Sequence, residues 1–308
     1  MQSKSSFISK PAASAAPPQT PPRTDWGNVA KWYDDLVGDE GSEYHRQVIF
    51  PGLMRLLAIG QGDKVLDVAC GQGALCRQLQ SKRAIVTGID AARPLIEAAK
   101  RRSENPQPGE THARHETPIN YIVGDVRDLN QRRELHGKFD AAACVLAIQN
   151  ITPVRPVFEG VAACLRSGLT TPFGGRFVLV LNHPAFRSPQ FTSWGWDAQE
   201  MVQYRRVERY LLPRKHTIIT HPGKDPRTHT LSFHQPISTY VKALRQAGLF
   251  VEAIEEWASH KTSDSGPRAR AENEARDEIP LFMAIRAVKI SGAAAGANET
   301  PAPDDAAV

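Results

Sequence analysis

The sequence predicts an α/β protein built on one open, doubly wound and mostly parallel sheet with helices on both faces. Five runs are apolar at nearly every position, which is expected of strands buried on both faces: KVLDVA, AIVTGID, NYIVGDV, FDAAACVLAI and GRFVLVLNH. Helical patterns lie between them at residues 73–80, 94–102 and 154–166. This alternation is typical of parallel strands joined by right-handed crossovers.

The two ends of this region complete the prediction. Two helical patterns, DWGNVAKWYDDL and SEYHRQVIFPGLMRLLAIG, precede the first strand. After a predicted helix at residues 236–247, LFVEAIEEWAS and IPLFMAIRAVKI read as strands separated only by a polar segment at 261–278. Neighbouring strands without a crossover pair antiparallel. We therefore expect seven strands, of which the last is antiparallel.

Composition limits the class of protein. The chain has 308 residues, of which 41% are apolar and 23% charged, and it carries a net charge of +5. No apolar run approaches the roughly 20 residues of a membrane helix, and the N-terminus lacks a secretory apolar stretch, so a cytoplasmic protein is expected. The modest positive charge favours an anionic ligand over a nucleic-acid surface. Cysteines 70, 76, 144 and 164 form no CxxC pair and are expected to be reduced and mostly buried.

The predicted domain organisation has two tails around one folded body. Residues 1–23 are rich in Ser, Ala and Pro and predict a disordered tail; their lack of acids also fits a transit peptide, but arginine is scarce. Residues 291–308 read as a second disordered tail, which leaves a domain at 24–290. Within it, an insertion at 184–235 is predicted to be a lid over the substrate, with a short helix in its middle and two strands around a Pro-Gly turn.

A glycine turn follows the first predicted strand. In KVLDVACGQG, Gly71 and Gly73 stand between a strand and a helix, where backbone N–H groups approach a ligand, and a nucleotide is the natural occupant. Asp90 ends the second strand, at the distance where an acid reaches a ribose, and Asp125 ends the third. Any one of these acids alone is typical of a turn or cap. Acids at successive strand ends, together with the glycines, favour a nucleotide site.

The same residues resemble the class I S-adenosylmethionine-dependent methyltransferases, of the small-molecule, type-11-like kind. The stretch from Asp67 to Gly73 resembles their glycine-rich motif, and GID, GDV and FDAAACVLAIQNI resemble the second, third and fourth motifs in order. The resemblance covers residues 26–290 and implies a Rossmann-like fold and S-adenosylmethionine as cofactor. The spacing of cysteines and histidines predicts no metal site. The resemblance also implies cofactor contacts from Asp67, Gly71, Gly73, Asp90, Ala91, Asp125, Val126, Leu146 and Ala147. Tyr33 and Tyr44 are on the leading helices that often cover the cofactor in this family, although aromatics at this spacing are as often core.

The substrate is expected beyond the carboxyl ends of the strands. Asn182 and His183 end the fifth strand, and His183 is a candidate base if the acceptor is a hydroxyl, the alternative being a plain loop residue. After the sixth strand, Lys261 and Arg268 lie in a long loop where they are predicted to bind a carboxylate or phosphate; a solvated loop is the alternative. The insertion histidines at 216, 221, 229 and 234 match no metal-ligand spacing.

The leading hypothesis is a methyltransferase acting on a small organic acceptor, which an acidic group would suit. The rivals are an RNA or protein methyltransferase and a non-catalytic scaffold that binds the cofactor. The fourth motif lacks the Asn/Asp-Pro-Pro-aromatic signature of enzymes that methylate exocyclic base nitrogens, and no RNA-binding module is appended, which disfavours nucleic acid. The sequence leaves the acceptor and the oligomeric state open.

Overall fold

The computed structural model describes residues 26–104, 117–168, 173–219 and 229–290. Within these ranges the chain forms a seven-stranded sheet and two separate hairpins. The strands are β1 Lys64–Val68, β2 Ile85–Asp90, β3 Asn120–Val123, β4 Ala141–Val145, β5 Phe173–Asn182, β6 Thr192–Asp197, β7 Val202–Val207, β8 Arg214–Ile219, β9 His229–His234, β10 Leu249–Trp257 and β11 Phe282–Ile290. The helices are α1 Ala30–Val37, α2 Phe50–Leu57, α3 Ala74–Ser81, α4 Arg93–Glu104, α5 Arg155–Cys164, α6 Ile237–Gln246 and α7 Ala269–Glu278.

The main sheet has the strand order β10-β11-β5-β4-β1-β2-β3. The pairs among β1 to β5 are parallel, whereas β11 pairs antiparallel with both β5 and β10. Strand β10 therefore runs parallel to the first five, and their carboxyl ends meet at one edge of the sheet. The predicted fold class, with a single antiparallel strand in the main sheet of the described residues, is confirmed.

Helices cover both faces of this sheet, and the side-chain alternation of the strands divides the core between them. On one face, Leu66 and Val68 of β1 pack in a buried cluster with residues of α5 and α6. On the other face, Val65 of β1 lies in a second cluster with residues of α2, α3 and α4. Burial on both faces explains why these strands read as continuous apolar runs.

The insertion differs from its prediction. The short helix expected in its middle is wrong, because residues 202–207 form β7 and pair antiparallel with β6. Gly195 and Tyr204 are partners in this hairpin, and a side chain at residue 195 would collide with the Tyr204 ring. Strand pairing with a segment some ten residues away overrides the weak local helical pattern. The predicted strand pair near the end of the insertion is present as β8 and β9, although its Pro-Gly turn lies outside the described residues.

The connection between the last two strands also differs. The polar segment between them carries a helix, α7, which packs against β7. Its sequence shows little apolar periodicity, because within this helix Ala275 alone is buried. An exposed Arg270–Glu274 pair one turn apart adds support of the kind that stabilises isolated helices.

Some predictions concern residues outside the described ranges, and others concern the cysteines and membrane helices. The two predicted tails, at 1–23 and 291–308, and His221 lie outside the described residues. All four cysteines are free, three of them buried, as predicted. In the part of the chain that the structure describes, no helix is both long enough and apolar enough to cross a membrane.

Candidate functional site

The glycine turn between β1 and α3 depends on its two glycines. Gly71 and Gly73 have φ values of +55° and +80°, a region that residues with a Cβ rarely adopt. A Cβ at residue 73 would collide with the Tyr121 hydroxyl, and one at residue 71 would lie 3.2 Å from the Tyr33 ring. The turn therefore brings its backbone close to its surroundings. Gly73 packs against the protein, whereas Gly71 borders the cavity described below.

The carboxylate of Asp90 connects β2 to this turn. Its Oδ2 accepts a hydrogen bond from the Gly71 N–H at 2.9 Å, and its Oδ1 accepts one from the Ala92 N–H at 2.8 Å. Burial raises the pKa of Asp90, and these two donors oppose that rise. Each carboxylate oxygen has a second lone pair, so Asp90 retains acceptor capacity for a ligand hydroxyl.

Asp67, at the end of β1, is 2% exposed and accepts a hydrogen bond from the Cys76 thiol at 3.1 Å. Burial is the main cause that raises its pKa from 3.8 to about 7, and the nearby Asp90 charge adds to the rise. Asp67 lines a small pocket behind the glycine turn, not the large cavity. A cationic group placed there would favour the charged carboxylate.

Asp125 begins the 3-10 turn Val126–Gln131, where its side chain accepts the Arg127 backbone N–H at 3.0 Å. The Arg127 guanidinium also pairs with it, with Nη2 2.8 Å from Oδ2. Nη1 of the same guanidinium donates to the Thr152 carbonyl at 2.8 Å. Arg127 thus ties the segment after β3 to the segment after β4. The Asp125 carboxylate therefore both caps the 3-10 turn and holds the Arg127 guanidinium in place.

A cavity of about 690 Å³ lies at the carboxyl edge of the sheet, within the size range of ligand pockets. Most of the residues that the resemblance assigns to the cofactor line it: Tyr33, Gly71, Asp90, Ala91, Asp125, Val126, Leu146 and Ala147. Trp26, Leu95, Arg127, Arg132, Asn150 and Thr152 line it as well. Strand-end acids, a tight glycine turn and apolar walls are the groups that a nucleoside with a polar tail needs. S-adenosylmethionine therefore fits the residues present.

A second cavity, of about 300 Å³, adjoins the first. Four residues line both cavities: Trp26, Tyr33, Leu146 and Asn150. The far wall comes from the end of β5 and from the insertion, including Asn182, Arg187, Phe233 and His234. A ligand in the second cavity therefore lies beside a ligand in the first. Tyr44 lines the second cavity and not the first, so it shares a cavity with Asn182, which was predicted to bind the substrate.

The structure gives His183 a position apart from both cavities. Its ring is 2% exposed, Nε2 lies 2.7 Å from Glu256 Oε1, and Nδ1 accepts the backbone N–H groups of Ala185 and Phe186. Since Nδ1 accepts two hydrogen bonds, the ring proton is on Nε2, facing Glu256. Burial lowers the pKa of His183, against the effect of Glu256. This geometry fixes the loop after β5 and supplies no base to the second cavity.

Lys261 and Arg268 also have local partners. Lys261 pairs with Glu43 at 2.8 Å and lies over the Tyr44 ring, 5.3 Å from its centroid. The Arg268 guanidinium lies 4.6 Å from the centroid of the Trp196 ring. Neither lines either of the two cavities. The loop does emerge at the carboxyl end of β10, as predicted, but its cations do not gather at the cavities.

Sequence reasoning missed several cavity residues. Arg187 and His45 both line the second cavity, and Arg127 and Arg132 line the first. Burial lowers the pKa of His45 to about 4, so its imidazole is uncharged at neutral pH. These residues stand in no motif, and tertiary packing alone places them at the cavities. For Arg127 the sequence offered one indication, because this residue follows the predicted site residue Asp125 by two positions.

The architecture and the large cavity define a class of protein. An open α/β sheet with a glycine turn after β1 and acids at the carboxyl ends of successive strands is a nucleotide-binding arrangement. The antiparallel β11, inserted between β5 and β10, distinguishes this sheet from a wholly parallel one.

The comparisons with known proteins specify the family. Residues 65–168 match the family model of a methyltransferase domain. The fold resembles the crystal structure of an S-adenosylmethionine-dependent methyltransferase from Mesorhizobium loti, with a TM-score of 0.57 and 24% identity over 78% of this chain and 97% of that one. Residues 65–168 thus match a methyltransferase domain, and the resemblance predicted from the motifs, to the class I S-adenosylmethionine-dependent methyltransferases, is confirmed. S-adenosylmethionine is the cofactor of this class, as predicted.

Two curated relatives are similar over part of their length. A ubiquinone biosynthesis O-methyltransferase from Coxiella burnetii is 31% identical over 108 residues, which are 35% of this chain and 41% of the relative. One from Chromobacterium violaceum is 35% identical over 124 residues, 40% of this chain and 47% of the relative. The alignments thus span less than half of each relative. The family match ends at residue 168, before the insertion that lines the second cavity.

Proposed function

We propose that this protein transfers a methyl group from S-adenosylmethionine to a small organic acceptor. The observation that carries the proposal is the pair of adjoining cavities with a common wall. The larger one is lined by Gly71 of the glycine turn and by the strand-end acids Asp90 and Asp125, and the smaller one is lined in part by the insertion. The size of the second cavity suits a small molecule rather than a nucleic-acid or protein surface.

Different residues of the larger cavity would contact different parts of the cofactor. Asp90 would accept hydrogen bonds from the ribose hydroxyls while fixing the Gly71 backbone. The turn that begins at Asp125, held by Arg127, would border the adenine, and Leu146 and Ala147 would border the reacting end. When bound, S-adenosylmethionine supplies a methyl group already activated by its sulfonium.

The chain's own contribution to the reaction is alignment and exclusion of water. Trp26, Tyr33, Leu146 and Asn150 form the wall between the two ligands, so they set the approach of the acceptor. Burial and the nearby Asp90 and Asp67 charges raise the pKa of Tyr33, which keeps its phenol protonated at neutral pH. The described parts of the insertion, residues 184–219 and 229–235, would act as the lid. The Ser232 hydroxyl donates to the Gln149 carbonyl at 3.3 Å, which connects β9 to the segment after β4.

The test is labelled methyl transfer combined with a binding measurement. Purified protein is incubated with methyl-labelled S-adenosylmethionine and, in separate reactions, a small-molecule panel, bulk RNA and a protein extract. We expect label in the small-molecule fraction and calorimetric binding of S-adenosylhomocysteine. Label confined to RNA or protein would favour the rival methyltransferases, and binding without any transfer would favour a scaffold.

A further inference from the structure

The second cavity combines aromatic walls with one arginine whose charge is uncompensated. The Arg187 guanidinium lies 5.0 Å from the centroid of the Phe282 ring and 5.8 Å from that of Tyr44. In the part of the chain that the structure describes, no carboxylate lies within ion-pair distance of it, and its Nη1 is buried without a hydrogen-bond partner. A buried guanidinium nitrogen without a hydrogen-bond partner is costly to the fold unless a ligand or solvent satisfies it.

Arg205, a nearby arginine of the insertion, contrasts with Arg187. The Arg205 guanidinium donates to the Phe186 carbonyl at 2.7 Å and to the Thr192 hydroxyl at 2.6 Å, so it is committed to holding the insertion. Nη1 of Arg187, by contrast, donates no hydrogen bond to any described residue. Burial lowers the pKa of Arg187, yet an arginine remains charged at neutral pH. Among the described residues that line this cavity, Arg187 is the single arginine or lysine, and it therefore supplies the cavity's permanent positive charge.

Further polar atoms of the same cavity lack partners. Ser188 Oγ, Gln149 Oε1 and Gln235 Oε1 are buried and form no hydrogen bond with any described residue. A hydroxyl can donate or accept, whereas the two amide oxygens require donors. A ligand that satisfies this set carries an anionic group for Arg187 and a hydroxyl or amine for the amide oxygens. Aromatic residues line the same cavity: Trp26, Trp32, Tyr33, Tyr44, Phe233, Tyr240 and Phe282.

We propose that Arg187 binds the carboxylate of the acceptor, and that the acceptor is a flat aromatic monocarboxylic acid bearing a hydroxyl or amine. This deepens the proposed function and rests on it. A guanidinium presents a planar fork that matches a carboxylate with two parallel hydrogen bonds. A monoanion is favoured over a phosphate dianion, because one charge on Arg187 neutralises one negative charge in an apolar cavity. The sequence predicted that Lys261 and Arg268 bind the acidic group of the acceptor. In this proposal Arg187 has that role instead.

The experiment measures binding by calorimetry to the protein saturated with S-adenosylhomocysteine. The probes are 3-hydroxybenzoate, 4-hydroxyphenylacetate and 4-hydroxycinnamate, each with its primary amide, and 4-hydroxyphenyl phosphate. We expect at least one acid to bind the wild type about tenfold or more tightly than its amide and than the phosphate ester. Equal binding of acid and amide, a preference for the phosphate, or binding of no acid would overturn the proposal.

Substitutions then assign the preference to Arg187. Both Arg187→Gln and Arg187→Met should lose the preference for the acid over the amide, and the methionine keeps an apolar stem against the Tyr44 and Phe282 rings. Arg214→Gln is the matched control, since Arg214 also stacks on a ring, 5.0 Å from the Phe191 centroid, but lines neither cavity. Retention of the preference in both Arg187 variants would overturn the proposal.

Failure of this inference is distinguishable from failure of the proposed function. If the wild type does not bind S-adenosylhomocysteine, the proposed function fails before any acid is tested. If it binds S-adenosylhomocysteine but shows no preference for a carboxylate, the proposed function stands and the role of Arg187 falls. The wild-type comparison of acid with amide requires no variant, so it decides the matter even if both substitutions at residue 187 prevent folding.

Discussion

The two carboxylate oxygens of Asp90 accept hydrogen bonds from Gly71 and Ala92, so this side chain shapes the glycine turn even without a ligand. It also lines the larger cavity, as the proposed contact with a ribose requires. The sequence alone offered these as alternatives, a turn cap or a nucleotide contact. The structure shows the first directly and leaves acceptor capacity for the second, because a carboxylate accepts about four hydrogen bonds.

Asp90→Ala should weaken the binding of S-adenosylhomocysteine by about 1–3 kcal/mol, since hydrogen bonds to a charged group are lost. Calorimetry on the purified variant measures this directly. Asp140→Ala is the control, because Asp140 accepts the Lys64 N–H at 2.8 Å at the opposite end of β1. The control should lose stability without losing affinity. Equal affinity in the wild type and the Asp90 variant would remove Asp90 from the site.

Asp67 makes stability depend on pH. Its carboxyl loses its proton near pH 3.8 in the unfolded chain but near pH 7 in the folded one. A raised pKa contributes stability at low pH that is lost as pH rises through the folded value. The free energy of unfolding of the wild type, relative to Asp67→Asn, should therefore fall between about pH 4 and pH 7 and then level off. Urea unfolding of both proteins across this range, without cofactor, measures the difference; a difference independent of pH would contradict the assignment.

At the scale of elements, the sequence predicted correctly those strands whose apolar pattern follows from their own burial. The strands β1 to β5 are buried on both faces, so their apolar runs were readable, and the acids at their ends followed from the strand boundaries. The hairpin of β6 and β7 was misread as helical because its pairing partner, not its own pattern, decides its state. Arg187 was missed for a similar reason. Its role depends on rings from two distant elements, and a single arginine in a loop carries no periodic signal.

Arg127 connects the segment after β3 to the segment after β4 through its contacts with Asp125 and the Thr152 carbonyl. Arg127→Met breaks the contacts with both Asp125 and the Thr152 carbonyl and leaves a partly buried carboxylate without its cation. We expect a loss of about 1–3 kcal/mol in the free energy of unfolding, measured by urea titration, with weaker S-adenosylhomocysteine binding. Arg155→Ala breaks the more exposed pair with Glu159 and should cost about 0.3–0.5 kcal/mol. Similar losses in the two variants would show that Arg127 is an ordinary surface residue.

At the scale of the whole molecule, the ends of the sheet strands line the larger cavity and the insertion lines part of the smaller one, where we propose that the cofactor and the acceptor bind. The larger cavity is lined by described residues of the first half of the chain, from Trp26 and Tyr33 to the residues at the ends of β1 to β4. The acceptor cavity takes its far wall from the insertion and from Tyr240 and Phe282 beyond it. Because the two share the residues between them, a ligand in the first cavity completes the wall of the second. Binding of the acceptor should then be measured with the cofactor site filled.

Cofactor binding should stabilise the entire described fold, because the larger cavity joins α1 to the ends of four strands of the sheet. A ligand present at about a hundred times its Kd adds about 2.7 kcal/mol to the free energy of unfolding of a protein it binds only when folded. For a chain of this size we expect a rise of roughly 5–11 °C in Tm with S-adenosylhomocysteine, measured by calorimetric melting. NAD at the same concentration is the control and should leave Tm unchanged, because Cys76 stands where a dinucleotide-binding turn has its third glycine and is buried against Asp67. Stabilisation by NAD, or by neither nucleotide, would contradict the assignment of this cavity to S-adenosylmethionine.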